Sequence, residues 1–193
     1  MQSGWYSSLE EREMKKMMEW VAAGGKLIAV EDALNKLKDS DYSSLSAYVD
    51  EDEKKKAEEN EKKREEAARL VSYEDQEREF IKGFAPGAIY KVKMDNTHPL
   101  AFGYGDTYYT LKTGSNKVAY LDGNNVGIVT DKDDLMSGFT GQYAKEDMAG
   151  SLVFGVEEKG RGQIVHIVDN PLFRSFWQNG KLLLVNAMFF VGQ

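Results

Sequence analysis

A chain of 193 residues with 41% hydrophobic and 11% aromatic residues can bury a core, and its three prolines and 30% charged residues set it apart from disordered or collagen-like polymers. Thirty-two acids against 25 bases leave a net charge of −7, which repels phosphate backbones and anionic membrane surfaces, so neither nucleic acid nor membrane is an expected partner. There is no cysteine, which excludes disulfides, thiolate catalysis and cysteine metal sites, and two histidines are too few for a histidine-rich zinc centre.

No apolar run reaches the ~18 residues of a membrane span, and no basic-then-apolar leader opens the chain. Ser7 and Ser8 with Glu10 and Glu11 read as a capping box, and Met14, Met17, Met18 and Val21 fall at helical spacing, which predicts a helix from Ser8 to Ala23. Gly24-Gly25 ends it, and Lys26 to Val30 reads as a short buried strand of a parallel sheet. Because a sheet that opens on a helix lacks the strand before it, the expected fold is incomplete at its N-terminus, as in a segment of a longer polypeptide. Asp32 to Lys38 follows as a short helix. From Asp50 to Glu66 only Ala57 and Asn60 are uncharged; Glu51/Lys55, Asp52/Lys56, Glu58/Lys62 and Glu59/Lys63 are spaced for i to i+4 pairs, so the segment reads as a solvated helix, with a partner-binding arm as the alternative. A second helical stretch over Glu74 to Ile81 completes a charged helical insert, residues 50–82, in a single domain of residues 1–193. Gly83 and Pro86-Gly87 break it.

From Ala88 the period shifts toward two. Strands are predicted over Ala88 to Met94, Thr107 to Leu111, Lys117 to Leu121 and Val126 to Val129, and a hairpin over Ser151 to Glu157 and Gln163 to Val168, turning at Lys159-Gly160-Arg161-Gly162. Lys181 to Phe190 closes the chain as an apolar helix, the only helix expected in this half. The Gly-Arg-Gly is not a phosphate loop, since the other glycine and lysine positions are missing.

Few residues carry chemistry. Asp95 and His98, in Asp95-Asn96-Thr97-His98-Pro99, follow a strand and precede a rigid proline, which suits a ligand site or a general base; the plainer reading is that they satisfy the backbone of their own turn. His166 lies in the apolar strand Ile164 to Val168 and reads as a packed histidine. Asp169, Asn170 and Arg174 follow that strand and could hold a carboxylate or a peptide end; alternatively Asp169 or Asn170 caps the next turn and Arg174 pairs with Asp169. Glu31, with Asp32, ends the first buried strand, where the acids bind a ligand or answer the helix dipole. The candidate ligand-binding set is therefore His98, Asp95, Asp169, Asn170, Arg174 and Glu31, with no catalytic or metal-ligating residue and no cofactor expected.

Longer blocks carry a family likeness. Trp20 to Ala29, Pro86 to Val92, Asn96 to Tyr104, and Asp169 to Trp177 with Asn186-Ala187 resemble the C-terminal region of large bacterial zinc carboxypeptidase-family proteins, a region similar to class I glutamine amidotransferase domains. The resemblance implies an α/β fold, a flavodoxin-like, class I glutamine amidotransferase-like three-layer sandwich with a strand-rich second half. It would sit downstream of an N-terminal peptidase domain of the same polypeptide, in a protein exported to the periplasm or outside the cell. Two departures limit what carries over. The zinc motif His-x-x-Glu is absent, since Ala101 and Asp169 stand three residues after His98 and His166, and the strand-to-helix elbow that would hold the amidotransferase cysteine carries Glu31-Asp32. Three functions are consistent with this: a noncatalytic accessory domain; a module presenting His98, Asp169 and Arg174 to a peptide or cell-wall ligand, with Tyr104, Tyr108 or Trp177 in aromatic contact; or a weak hydrolase using His98 with a carboxylate. An unpaired edge strand and the apolar terminal helix also predict self-association into a homo-oligomer.

Overall fold

The computed structural model describes residues 9–115 and 117–192. Its helices are α1 (Glu11–Ala22), α2 (Glu51–Arg69), α3 (Gln76–Ile81), α4 (Gln142–Met148) and α5 (Lys181–Phe189), and its strands β1 (Lys26–Val30), β2 (Gly87–Met94), β3 (Thr107–Lys112), β4 (Asn124–Val129), β5 (Leu135–Phe139), β6 (Ser151–Lys159) and β7 (Gly162–Ile167). All seven strands form one mixed sheet in the order β1-β7-β6-β4-β2-β3, with β5 also paired to β2. Parallel pairing joins β1 to β7, as the buried run of Lys26 to Val30 predicts, and the other pairings are antiparallel.

Two apolar clusters show how the sheet is covered. On one face Met14, Met18 and Val21 of α1 pack over Leu27, Ala29 and Ile164, joined by Leu34, Leu37 and Leu45 from the segment after β1. On the other, Leu183, Ala187 and Val191 around α5 and Ala144 and Met148 of α4 pack over Val30, Val165, Ile167 and Phe154. Alternation along β7 explains the division, because Ile164 and Val168 point to one layer while Val165 and Ile167 point to the other. Burial of these apolar side chains is the main stabilising term, at roughly 25 cal/mol per Å² removed from water.

Helix α5 is apolar on both its inner and outer faces, so polar locks set its position. The buried Asn186 amide donates to Leu100 O at 3.0 Å and Phe102 O at 2.7 Å, holding the helix to the 3-10 turn Pro99–Ala101. The Lys26 ammonium donates to Ala187 O at 3.2 Å and Met188 O at 2.8 Å, supplying a cation to the C-terminal carbonyls. At the N-terminal end the Tyr104 hydroxyl accepts from Leu183 N–H at 2.8 Å and donates to Asn179 O at 2.6 Å.

The charged insert differs in kind. No residue of α2 is buried, in keeping with a solvated helix, and its start is well capped: Asp50 accepts from Glu53 N–H at 2.7 Å, and Glu53 accepts from Val49 N–H at 2.7 Å. Its ion pairs are not the four i to i+4 pairs the sequence suggests. Lys54 approaches Glu51 at 3.9 Å, while Glu53 pairs with Lys117 at 2.7 Å and Arg64 with Asp147 at 3.1 Å and Glu146 at 3.3 Å, so the contacts of Glu53 and Arg64 reach outside the insert. Partly exposed pairs of this type contribute about 0.2–1 kcal/mol each. Helix α2 therefore rests on the body through weak electrostatic contacts.

Other sequence expectations are corrected. Helix α1 begins at Glu11 after Glu10, which makes no side-chain cap, and the proposed caps Ser7 and Ser8 lie outside the described residues. Asp32 to Lys38 is a 3-10 helix over Glu31–Lys36. Lys117 to Leu121 is not a strand, because its backbone bonds are spent singly: Ala119 N–H donates to Ser46 O, Val118 O accepts from Leu152 N–H, and Leu121 N–H donates to the Asn125 side chain. Helix α4 and strand β5 carry too little signal to predict; α4 buries Ala144 and Met148, and β5 buries no residue fully.

The hairpin turn explains its glycines. Gly160 has φ 64°, a left-handed conformation that costs most residues, and at Gly162 a Cβ would collide with the carbonyl oxygens of Val21 and Gly25 where α1 and β1 meet the hairpin. Gly162→Ala is expected to destabilise by about 1–3 kcal/mol in urea unfolding, whereas Gly83→Ala, with open space around its Cβ, should change stability by about 0.5 kcal/mol or less.

Candidate functional site

Beyond the carboxyl ends of β1 and β7 lies a cavity of about 180 Å³, lined by Glu31 and Asp32 from the end of β1, Val168 and Asp169 from the end of β7, Thr113 and Gly114 after β3, and Lys38 and Lys117. Strand β3 is at the opposite end of the sheet order from β1, so the sheet must curl for the end of β3 to meet the residues after β7. The contact that closes this curl is buried. The Lys112 ammonium, on a residue 1% exposed, lies 3.1 Å from Asp169 Oδ1, off the line of a good hydrogen bond, so charge attraction rather than an aligned bond joins them. Thr110 donates its hydroxyl to Asp169 Oδ2 at 2.7 Å. Asp169 is thus consumed by β3, and the expected Asp169–Arg174 pair is replaced by Asp169–Lys112.

Asn170 bridges the same region. Its amide donates to Glu31 Oε2 at 2.9 Å and its side-chain oxygen accepts from Leu172 N–H at 2.9 Å, so it caps the following turn and ties it to the end of β1. Glu31 itself has φ 50°, a left-handed conformation costing a non-glycine residue about 1–3 kcal/mol, which the bond to Asn170 and the flanking strand hold in place. Arg174 goes elsewhere. It also has positive φ, 47°, is exposed, and lays its guanidinium over the Phe173 ring at 5.2 Å. The structure therefore unites Glu31, Asp169 and Asn170, leaves Arg174 on the surface, and adds Lys112 and Thr110, which only the curl of the sheet could have revealed.

Asp95 and His98 form a separate unit. Asp95 Oδ1 accepts from Thr97 N–H at 3.0 Å and Thr97 hydroxyl at 2.6 Å, bonds that hold its carboxyl below the usual range against the opposing effect of burial. His98 accepts Leu100 N–H on Nδ1 at 3.0 Å; burial lowers its pKa and the Asp95 charge opposes this. Both side chains satisfy their own turn, and neither lines the cavity beyond β1 and β7. Tyr104 anchors α5 as described. Tyr108 is buried, and desolvation pushes its phenol well above the ordinary value.

His166 is fully buried, as its strand context suggests, with neither ring nitrogen hydrogen-bonded among the described residues. Its Nε2 lies 3.8 Å from Glu157, too far for a hydrogen bond. Burial pushes the Glu157 carboxyl up, but the His166 ring and the bonds from Ser44, hydroxyl at 2.6 Å and amide at 3.1 Å, outweigh it and hold the group at about 2. Glu157 is a residue that sequence reasoning missed, since its strand position gives no hint of the loop it receives.

A comparison of the chain with protein-family models, with curated proteins and with solved structures found no match. Among the described residues no group of three or more His, Asp or Glu side chains is placed to hold a metal ion, and no helix is long and apolar enough to cross a membrane.

Two measurements check these assignments. Lys112→Met or Asp169→Asn alone strands a buried partner and is expected to cost about 3–5 kcal/mol, while the double variant should recover a good part of the loss in a double-mutant cycle. Because the folded Glu157 carboxyl is depressed, its contribution is present above the unfolded pKa of about 4.3 and is lost as pH falls toward about 2. Glu157→Gln should therefore flatten the fall in unfolding free energy between those pH values, read from urea titrations.

Proposed function

We propose that the chain is a noncatalytic accessory module that docks on and orients the N-terminal peptidase domain of the same polypeptide, a zinc carboxypeptidase-family protein exported from a bacterial cell. The observation that carries this reading is the contrast between its polar groups and its surface. Asp95, His98, Asp169, Asn170, Glu157 and Tyr104 each serve a turn, a strand end or a helix end. Around α5, by contrast, Leu182, Val185, Met188 and Phe189 are exposed beside the ring pair Phe102 and Phe190, at 5.0 Å. Residues 182, 185 and 189 fall on one stripe of the helix, and an apolar stripe that faces outward marks a docking surface.

Helices on both faces of the sheet support the finer fold reading, a flavodoxin-like, amidotransferase-like three-layer sandwich, although the single parallel pair β1–β7 departs from its all-parallel form. The cavity between Glu31 and Asp169 favours a second reading, a binding module for a peptide or cell-wall fragment. Recovering the parent open reading frame separates the two: a His-x-x-Glu domain upstream of Met1 is expected, and its absence overturns the accessory reading. The purified chain is expected to carry no stoichiometric zinc and to release no C-terminal residue from peptides, as read by metal analysis and a peptidase assay. Freed of its partner domain, the stripe should drive self-association at micromolar concentration in sedimentation equilibrium, and Leu182→Glu/Phe189→Glu should return a 21.8 kDa monomer.

A further inference from the structure

The stripe of α2 that faces the body is almost devoid of hydrophobic grip. Glu53, Ala57, Asn60 and Arg64 are spaced by four, three and four residues, one face of a helix over about 16 Å, and all four line a cleft of about 510 Å³ between α2 and the rest of the protein. The opposite wall of the cleft brings Lys38, Lys117, Tyr143, Glu146 and Asp147. At one end Glu53 pairs with Lys117 at 2.7 Å; at the other Arg64 pairs with Asp147 at 3.1 Å and lies over the Tyr143 ring at 4.3 Å. Between these two fastenings Ala57 is the only apolar residue of the stripe.

Two of the cleft's residues have a second role. Lys38 and Lys117 also line the smaller cavity beyond β1 and β7, so the cleft under α2 and that cavity share a rim, and the ammonium that fastens α2 is part of it. We infer that α2 is an electrostatically latched cover over this cleft, fastened at Glu53–Lys117 and Arg64–Asp147, whose release frees Lys117 on the rim shared with the cavity that Glu31 and Asp169 line and so opens that cavity as well, although α2 contributes no residue to its lining. The inference stands on these contacts whatever the cavity binds, and independently of the docking stripe on α5.

The mechanism follows from charge and position. Both latches are solvent-accessible, so they weaken as the Debye length falls from about 10 Å at 0.1 M salt to about 3 Å at 1 M. No buried apolar contact replaces them, because no residue of α2 is buried. The helix need not melt on release, since its Asp50 cap and its Glu51–Lys54 pair lie within the insert. The chain is held to the body by the bond from Ala119 N–H to Ser46 O before α2, and by those from the Tyr143 hydroxyl to Glu79 and from Tyr143 N–H to Lys82 O after it, so residues 47–49 and 70–78 act as its tethers.

The protein has no native cysteine, so introduced thiols report alone. Spin labels at Lys62→Cys, on the side of α2 opposite the latches, and at Glu158→Cys, exposed on β6, read the position of the cover. Val168→Cys, a near-isosteric change in the cavity wall, reads its accessibility to a thiol reagent. At 20 mM salt one narrow distance distribution and slow labelling are expected. In 1 M salt, or at 20 mM salt in Lys117→Gln/Arg64→Gln, which leaves the Asp50–Glu53 cap intact, the distribution should broaden to longer distances and Val168→Cys should react at least tenfold faster. Circular dichroism and urea midpoints on the same samples distinguish release from unfolding. A distance distribution unchanged by both treatments overturns the latch, a changed distribution without faster labelling overturns the cover, and a loss of global stability that accounts for the labelling overturns both.

Discussion

The Lys112–Asp169 contact holds the rest of the architecture in place. A mixed sheet that ran flat from β1 to β3 would leave the end of β3 far from the end of β7, and the cavity, the Asn170 bridge and the bond from the Asn179 amide to Tyr109 O of β3, at 2.8 Å, would have no common frame. A lysine that is 1% exposed can be stable only if its charge is matched, and Asp169 supplies the match from the loop leaving β7. Buried ion pairs seldom add net stability over well-packed apolar side chains. The value of this one is geometric, since an unmatched ammonium penalises every arrangement of the sheet in which the two ends do not meet.

Around that contact, the polar side chains divide by the kind of backbone they serve. Asn170 and Asp95 answer amides in turns, Asn186 and Lys26 answer carbonyls at a 3-10 turn and a helix end, and Glu157 answers the amide and hydroxyl of Ser44, fixing the loop that delivers Leu45 to the core. Such a division leaves little chemistry over. The apolar stripe of α5, beside Phe102 and Phe190, is an exposed hydrophobic surface that the internal structure does not explain, and the proposed function rests on docking there; Leu70, Tyr73, Phe80 and Phe84 expose a second apolar group after α2.

How far the sequence reveals the structure depends on the range of each signal. Strands β1, β2 and β3, the β6–β7 hairpin, the solvated α2 and the apolar α5 are legible because each declares itself within ten or twenty residues through periodicity, glycines or charge. Strand β5 and helix α4 are not, because they lie at the margin of the core and bury too few side chains to impose a pattern. Among the site residues, Asp95, His98 and Asn170 serve their own turns, and a turn is a local structure that its own residue types announce. The pairing of Asp169 with Arg174, five residues away, is the reading that fails, because the true partner Lys112 lies 57 positions earlier and no local pattern links them; the left-handed backbone at Arg174 accompanies the placing of that side chain over Phe173 instead. Glu157 is invisible for the same reason.

Helix α5 illustrates a packing problem that hydrophobicity alone leaves open. A helix with an apolar inner face and a polar outer face has one low-energy rotation about its axis; α5, apolar on both, could roll by a third of a turn and still bury leucines. Lys26 and Tyr104 hold its two ends, and between them the carboxamide of Asn186, bonded to two carbonyl acceptors, is the side chain of the helix itself that keys its rotation. The core on that side is in this sense addressed by hydrogen bonding and merely filled by hydrophobic contact, so an apolar replacement at Asn186 would remove uniqueness before it removed compactness, yielding a folded protein whose terminal helix occupies several rotational states.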